Sequence, residues 1–113
     1  MDWTDETQQA YDDFREAVNM APAEIENWLE TDESKAVGSK EGDGESVGHA
    51  SGRRIVAIRR TKKDDLTPAD IAHMETVAGY VHRHMAQRPE GDVTETRWRY
   101  SLMNWGHDPL KDE

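Results

Sequence analysis

The segment that most constrains the fold is an amphipathic stretch from Pro68 to about Gln87. At about 100° per residue, its apolar side chains fall within an arc of about 120°, the width that a packed helix buries. Thr67 supplies an N-cap hydroxyl before Pro68, and Pro89 with Gly91 follows the end of the stretch. The apolar side chains on this arc are Ile71, Met74, Val77, Ala78, Val81 and Met85. The stretch therefore predicts one long helix with one buried face.

Three other segments show the same helical spacing of apolar residues. The first runs from about Thr4 to Val18, a shorter one begins at Pro22, and the last follows Thr94. Proline suits the first position of a helix, which favours a helix start at Pro22. The apolar positions that support these helices are Ala10, Tyr11, Phe14, Ile25, Trp28, Leu29, Trp98, Leu102 and Trp105.

The basic stretch at 51–63, which we call the basic island, is ambiguous by periodicity alone. Ile55, Val56 and Ile58 suit a strand or a helix, but the sequence offers no partner strand, so a helix is favoured. Arg59 lies on the same arc as these apolar residues. With five helices and no persuasive strand, the sequence predicts an all-α fold: one small helical bundle spanning residues 1–113.

Residues 32–50 differ in composition from the rest of the chain. They are polar and contain Gly38, Gly42, Gly44 and Gly48. Loops of this length inside a domain are functional or disordered, and the composition favours disorder. We therefore expect a long glycine-rich loop between the second helix and the basic island.

Charge is distributed unevenly along this acidic chain, whose formal net charge is -10. Residues 1–50 carry 14 acidic and 3 basic residues, whereas the basic island carries 6 bases and no acid. Clustered arginine and lysine form the electrostatic footprint of a phosphate-binding surface. The candidate nucleic-acid contacts here are Arg53, Arg54, Arg59, Arg60, Lys62 and Lys63. The alternative is that these bases pair with the abundant acids and hold the bundle together.

A second candidate for nucleic-acid contact is the segment 97–100, in which basic and aromatic residues alternate. Arg97, Arg99 and Tyr100 could contact a nucleic acid, since aromatic rings stack on bases. Trp98 and Trp105 lie on the presumed core face and are expected to be buried. Tyr100 points away from this face, so its ring is the better candidate for exposure to solvent.

The sequence argues against catalysis, metal binding and a membrane span. Ser46, His49 and Ser51 lack a nucleophile motif around them, and the chain has no cysteine. His73 and His84 share a helix face but lie about 16 Å apart, too far to share an ion. No apolar run approaches the ~18 residues of a membrane span, and no secretory signal is visible. We therefore expect a cytoplasmic protein with no cofactor and no enzymatic activity.

Long stretches of the chain resemble a family of small uncharacterised proteins, a domain of unknown function. The resemblance is carried by GESVGHASGRRIV, GYVHRHMAQRPEGDV and TRWRYSLMNWGHDPLK, and it extends from about Phe14 to Lys111. Members of this family are often labelled as DNA-binding proteins. The resemblance therefore implies DNA as a partner, with no residue roles to carry over.

Two hypotheses follow for the function. The first is a non-enzymatic helical protein that contacts the DNA backbone through the basic residues named above. The second is a protein-interaction or stress-related accessory module that makes no contact with nucleic acid.

Overall fold

The architecture consists of six α-helices, described in a computed structural model that covers residues 3–37 and 46–112. Short 3₁₀ turns lie at Lys63–Asp65 and Pro109–Asp112. The helices are α1 (Asp5–Ala17), α2 (Pro22–Leu29), α3 (Asp32–Ala36), α4 (Val47–Arg59), α5 (Pro68–Met85) and α6 (Arg97–Asn104).

Side-chain hydroxyl groups define where most of these helices begin. In five of the six, a serine or threonine at the N-cap accepts a hydrogen bond from the backbone N–H three residues later. Such a cap satisfies a backbone donor that the helix cannot, and stabilises it by about 1 kcal/mol. The capping residues are Thr4, Thr31, Ser46, Thr67 and Thr96.

Side chains from distant parts of the chain satisfy the carbonyl groups at the helix ends. The Nδ1–H of His107 donates to the Ala17 oxygen at the end of α1, at 2.7 Å. The Nε2–H of His49 donates to the Leu29 oxygen at the end of α2, also at 2.7 Å. The indole of Trp98 donates to the oxygen of His84 near the end of α5, again at 2.7 Å. These contacts make helix termination depend on tertiary structure.

The helices pack as two layers joined by α6. Helix α1 packs on α5, α2 packs on α4, and α6 contacts all helices except α1 closely. The core contains the fully buried side chains of Phe14, Ile25, Ile55, Met74 and Leu102.

Helices α4 and α6 approach each other closely at Gly52. A Cβ atom at this position would lie 2.6 Å from the carbonyl oxygen of Asn104 and 2.8 Å from a methyl of Leu29. No side chain fits there, so glycine sets the distance between the two backbones.

The structure confirms the predicted all-α bundle, since the described residues contain no strand. The long amphipathic segment forms α5, with Ile71, Met74, Val77 and Val81 buried as expected. The segments predicted near Thr4, Pro22 and Thr94 form α1, α2 and α6. None of the helices in the described ranges is long and apolar enough to cross a membrane.

The glycine-rich loop predicted over 32–50 is wrong at both ends. Residues Asp32–Ala36 form α3, and 47–50 are the first turn of α4. Thr31 and Ser46 cap these helices, and their hydroxyls were available as signals in the sequence. The stretch 38–45 lies outside the described residues.

Candidate functional site

The cations of the basic island do not share one orientation. Arg54 donates to the Ala69 carbonyl oxygen at 3.1 Å and lies 3.9 Å from the Asp70 carboxylate at the start of α5. Arg60 forms an ion pair with Glu26 of α2. Both guanidinium groups remain about half exposed, so solvent screens these pairs. Each cation nevertheless faces a carboxylate of its own chain.

Arg59 points into the bundle instead of toward solvent. Its guanidinium donates to the backbone oxygens of Val18 and Met20, at 3.5 and 3.4 Å. Burial lowers the pKa of Arg59, and the nearby charge of Arg15 acts in the same direction. A phosphate contact at Arg59 stays a prediction, although these hydrogen bonds hold the guanidinium against its own chain. Its position on the apolar arc of α4 was the sequence signal for this burial.

Lys63 lies over an aromatic pair contributed by the N-terminal part of the chain. Its Nζ is 4.7 Å from the ring centre of Trp3 and 5.0 Å from that of Tyr11. The same ammonium donates to Gln8 Oε1 at 2.8 Å. These cation–π and hydrogen-bond contacts tie the turn after α4 to α1.

Most bases of the island are exposed to solvent, and most of these also have a partner in the chain. The exposed bases are Arg53, Arg54, Arg60, Lys62 and Lys63 of the island, and Arg97 at the start of α6. Within the described ranges, Lys62 and Arg97 make no side-chain ion pair. The island therefore does not present six unpaired cations on one open surface.

Arg99 holds the C-terminal part of the chain against α6. Its Nε and Nη2 donate to the two carboxylate oxygens of Asp108 at 3.2 and 3.1 Å, and its Nη1 donates to the Thr94 oxygen at 2.9 Å. Burial alone would raise the pKa of Asp108, but hydrogen bonds from Arg99 and the Leu110 N–H outweigh it and lower that pKa. A nucleic-acid contact by Arg99 stays a prediction, although three of its nitrogen atoms donate within the fold.

Tyr100 is half-buried, contrary to its expected exposure. Its ring packs on Trp28 of α2 with the centroids 5.4 Å apart. Trp98 and Trp105 are buried, as the helical periodicity predicts. Tyr100 therefore joins α6 to α2 and does not offer an open stacking face.

A column of stacked aromatic rings along α5 and α6 was not predicted from the sequence. Tyr80 lies at its centre, 4.3 Å from Trp105 and 5.1 Å from His84 between ring centroids. His73 extends the column beyond Trp105 at 6.2 Å, and Trp98 extends it beyond His84 at 6.1 Å. The four-residue spacing of Tyr80 and His84 and the seven-residue spacing of the tryptophans are the signals that point to it.

The histidines act as structural hydrogen-bonding and stacking groups. His73 Nε2 lies 2.9 Å from the hydroxyl of buried Ser51. Burial lowers the pKa of His73, with the charge of Arg54 acting in the same direction. The ring of His49 contacts the Leu29 oxygen at the end of α2. Across 3–37 and 46–112, no group of three or more acidic or histidine side chains is placed to hold a metal ion.

The described residues form an open groove of about 1080 Å³ between α1 and α5. Small side chains form much of its surface: Ala10, Ala17, Ala78, Gly79 and Ala86. Its charged and histidine side chains are Asp13, Glu16, Glu75, His82, Arg83 and His107. Neither Glu75 nor Arg83 forms an ion pair with any described residue. The sequence did not reveal this groove, because it exists only once α1 packs on α5.

These features define an all-helical bundle in which five of the six island bases have partners within the chain. A family model described as a protein of unknown function (DUF3140) matches residues 13–103, so the chain belongs to this family. No curated protein and no solved structure matches the chain. The match confirms the family resemblance, whereas the DNA-binding label stays a prediction.

Proposed function

We propose that this chain is a non-enzymatic protein-interaction module that receives a helix of a partner protein in the groove between α1 and α5. The observation that carries the proposal is this groove, with its small side chains and with Glu75 and Arg83 in no ion pair with any described residue. Small residues let a helix backbone approach closely, and unpaired charges can select a complementary partner.

The placement of the bases supports this function over nucleic-acid binding. Arg59 and Arg99, two of the expected phosphate contacts, donate to groups of their own chain. The other bases of the island and Arg97 are exposed, but they lie on a molecule of net charge -10. Such a molecule repels a polyanion unless its acids face away. DNA contact through the basic island, with Arg97, Arg99 and Tyr100, stays a prediction, and the first experiment tests it.

The first experiment measures the fluorescence anisotropy of a labelled DNA duplex titrated with the protein. At about 50 mM salt, where phosphate contacts are strong, we expect no saturable binding. Three phosphate contacts would instead give a log–log salt slope of about -2.7. Binding with that slope, lost in an R53E/K62E/R97E variant and retained in a K35E control, would overturn the proposal.

The second experiment places a photo-crosslinking amino acid at Ala86, which is exposed and lines the groove. The matched control carries it at Ala57, which is exposed on α4. We expect a discrete, nuclease-insensitive protein adduct from Ala86 and none from Ala57.

The captured protein is then identified, purified and tested for binding to the wild type and to an A86W variant that fills the groove. We expect the wild type to bind and A86W to lose binding, while A57W behaves as the wild type. Equal capture from both positions, or equal binding by both variants, contradicts the proposed groove.

A further inference from the structure

We infer that the helix received by the groove is α5 of a second copy of this chain, packed antiparallel across a two-fold axis at Gly79. This inference rests on the proposed function and names its partner. Two observations carry it: the spacing of small residues along the exposed face of α5, and the positions of its unpaired charges about Gly79.

The exposed face of α5 carries small residues at intervals of seven. Ala72 and Ala86 are exposed, and Gly79 lies midway between them and is partly exposed. Residues seven apart lie on nearly the same side of a helix, so the three form one seam. Small side chains along such a seam allow two helices to approach to about 8 Å between axes.

The charges on this face are self-complementary under a two-fold axis. Glu75 and Arg83 lie four residues before and after Gly79, or about 6 Å on either side of it along the helix. Two antiparallel copies that cross at Gly79 place Glu75 of each beside Arg83 of the other. A parallel arrangement in the same register would bring like charges together. A two-fold interface of this kind closes on itself and forms a dimer.

The conformation of Arg83 is compatible with this arrangement. In the single chain its guanidinium lies over Gly79, where an added Cβ would be 3.1 Å from Nη1. The side chain is exposed and has no ion pair with the described residues, so it is free to swing outward. Docking would move it from the bare glycine to the carboxylate of the partner's Glu75.

The self-association is tested by sedimentation equilibrium over a range of protein concentrations. We expect a reversible dimer whose dissociation constant rises at least about tenfold in E75R and in R83E. The E75R/R83E double variant should recover dimerisation, because both ion pairs are rebuilt with reversed charge. E90R, a charge reversal at an exposed residue outside α5, is the control and should dimerise as the wild type does.

The absence of cysteine from the chain allows a direct test of register. A disulfide needs Cα atoms within about 7 Å. G79C should therefore form a disulfide dimer under mild oxidation. A72C and A86C should each fail alone, since equivalent residues lie about 21 Å apart, but should cross-link when mixed. A57C is the control for random collision.

A wild type that stays monomeric up to about 1 mM overturns the inference. A dimer whose dissociation constant does not change with the charge reversals, or one in which A72C cross-links to itself, also overturns the inference. In each case the proposed function stands if the Ala86 cross-link identifies a different protein. DNA binding through the exposed bases, in contrast, overturns the proposed function whatever the oligomeric state.

Discussion

Arg99 and Asp108 form a two-pronged ion pair, with nitrogen–oxygen distances of 3.2 and 3.1 Å, that fastens the C-terminal segment to α6. The backbone of Asp108 is held in turn by Asn19, which accepts from its N–H at 2.8 Å and donates to its oxygen at 2.9 Å. One carboxylate residue thus joins the turn between α1 and α2, helix α6 and the end of the chain. An arginine that sequence assigns to nucleic acid works here as a structural clamp.

Replacement of Arg99 by alanine should lower the free energy of unfolding by about 3 kcal/mol, because it leaves a buried carboxylate unpaired. The side chains of Arg99 and Asp108 are only 18% and 12% exposed, so solvent screens the pair weakly. Chemical denaturation measures the loss. Arg97→Ala, two residues earlier and exposed, should change stability by less than about 0.5 kcal/mol. Equal losses in the two variants would refute the clamp.

The buried histidines should make the protein less stable in mild acid. Burial lowers the pKa of both His73 and His84 below the ordinary value of 6.5. The unfolded chain therefore takes up protons at a higher pH than the native chain does, so stability falls as pH drops below about 7.

Thermal unfolding between about pH 7 and pH 5 measures this dependence, and an H73Q/H84F variant should show a flatter profile. His84 Nε2 is buried and finds no hydrogen-bond partner in the described structure, so phenylalanine fits there. His82→Gln, at an exposed position, is the control and should keep the wild-type slope. A double variant with an unchanged slope would contradict the prediction.

Asn104 should be one of the most sensitive polar positions in the core. It is fully buried, its oxygen accepts from the indole of Trp28 at 2.7 Å and from the hydroxyl of Ser34 at 2.5 Å, and its amide donates to the Ser34 oxygen at 3.1 Å. Asn104→Ala leaves these groups of Trp28 and Ser34 without hydrogen-bond partners and should lower the free energy of unfolding by about 3 kcal/mol. Asn27→Ala, at an exposed position on α2, is the matched control. A loss no larger than that of the control would show that the network is dispensable.

Two glycine-to-alanine changes should act in opposite directions. Alanine favours a helix over glycine by about 1 kcal/mol. Replacing a helical glycine that has space around it should therefore raise the free energy of unfolding. At Gly52 the new Cβ meets the Asn104 backbone oxygen at 2.6 Å, and the protein should lose about 2 kcal/mol. At Gly79 the only neighbour is the flexible end of Arg83, so the protein should gain stability. Paired denaturation curves test the sign, and a stabilised Gly52→Ala would refute the close packing of α4 on α6.

Some features of the basic island and of the groove could be predicted from the sequence, and others could not. The arc of α4 already placed Arg59 beside Ile55 and Val56, although we predicted a nucleic-acid contact for it. Nothing local indicated that Glu26 would meet Arg60, 34 residues away along the chain. The groove between α1 and α5 could not be predicted from local sequence either, because the two helices that form its walls lie 50 residues apart in the sequence.

The amino-acid sequence by itself determined where the helices begin and which faces they bury. A hydroxyl cap acts on a backbone N–H three residues away, and helical periodicity acts within a few turns, so both can be read locally. The tertiary structure alone decided which charges are paired, which rings stack and which face of α5 stays uncovered. These outcomes depend on how the helices cross, and distances of a few ångströms between distant residues determine whether a cation meets a carboxylate, a carbonyl or water.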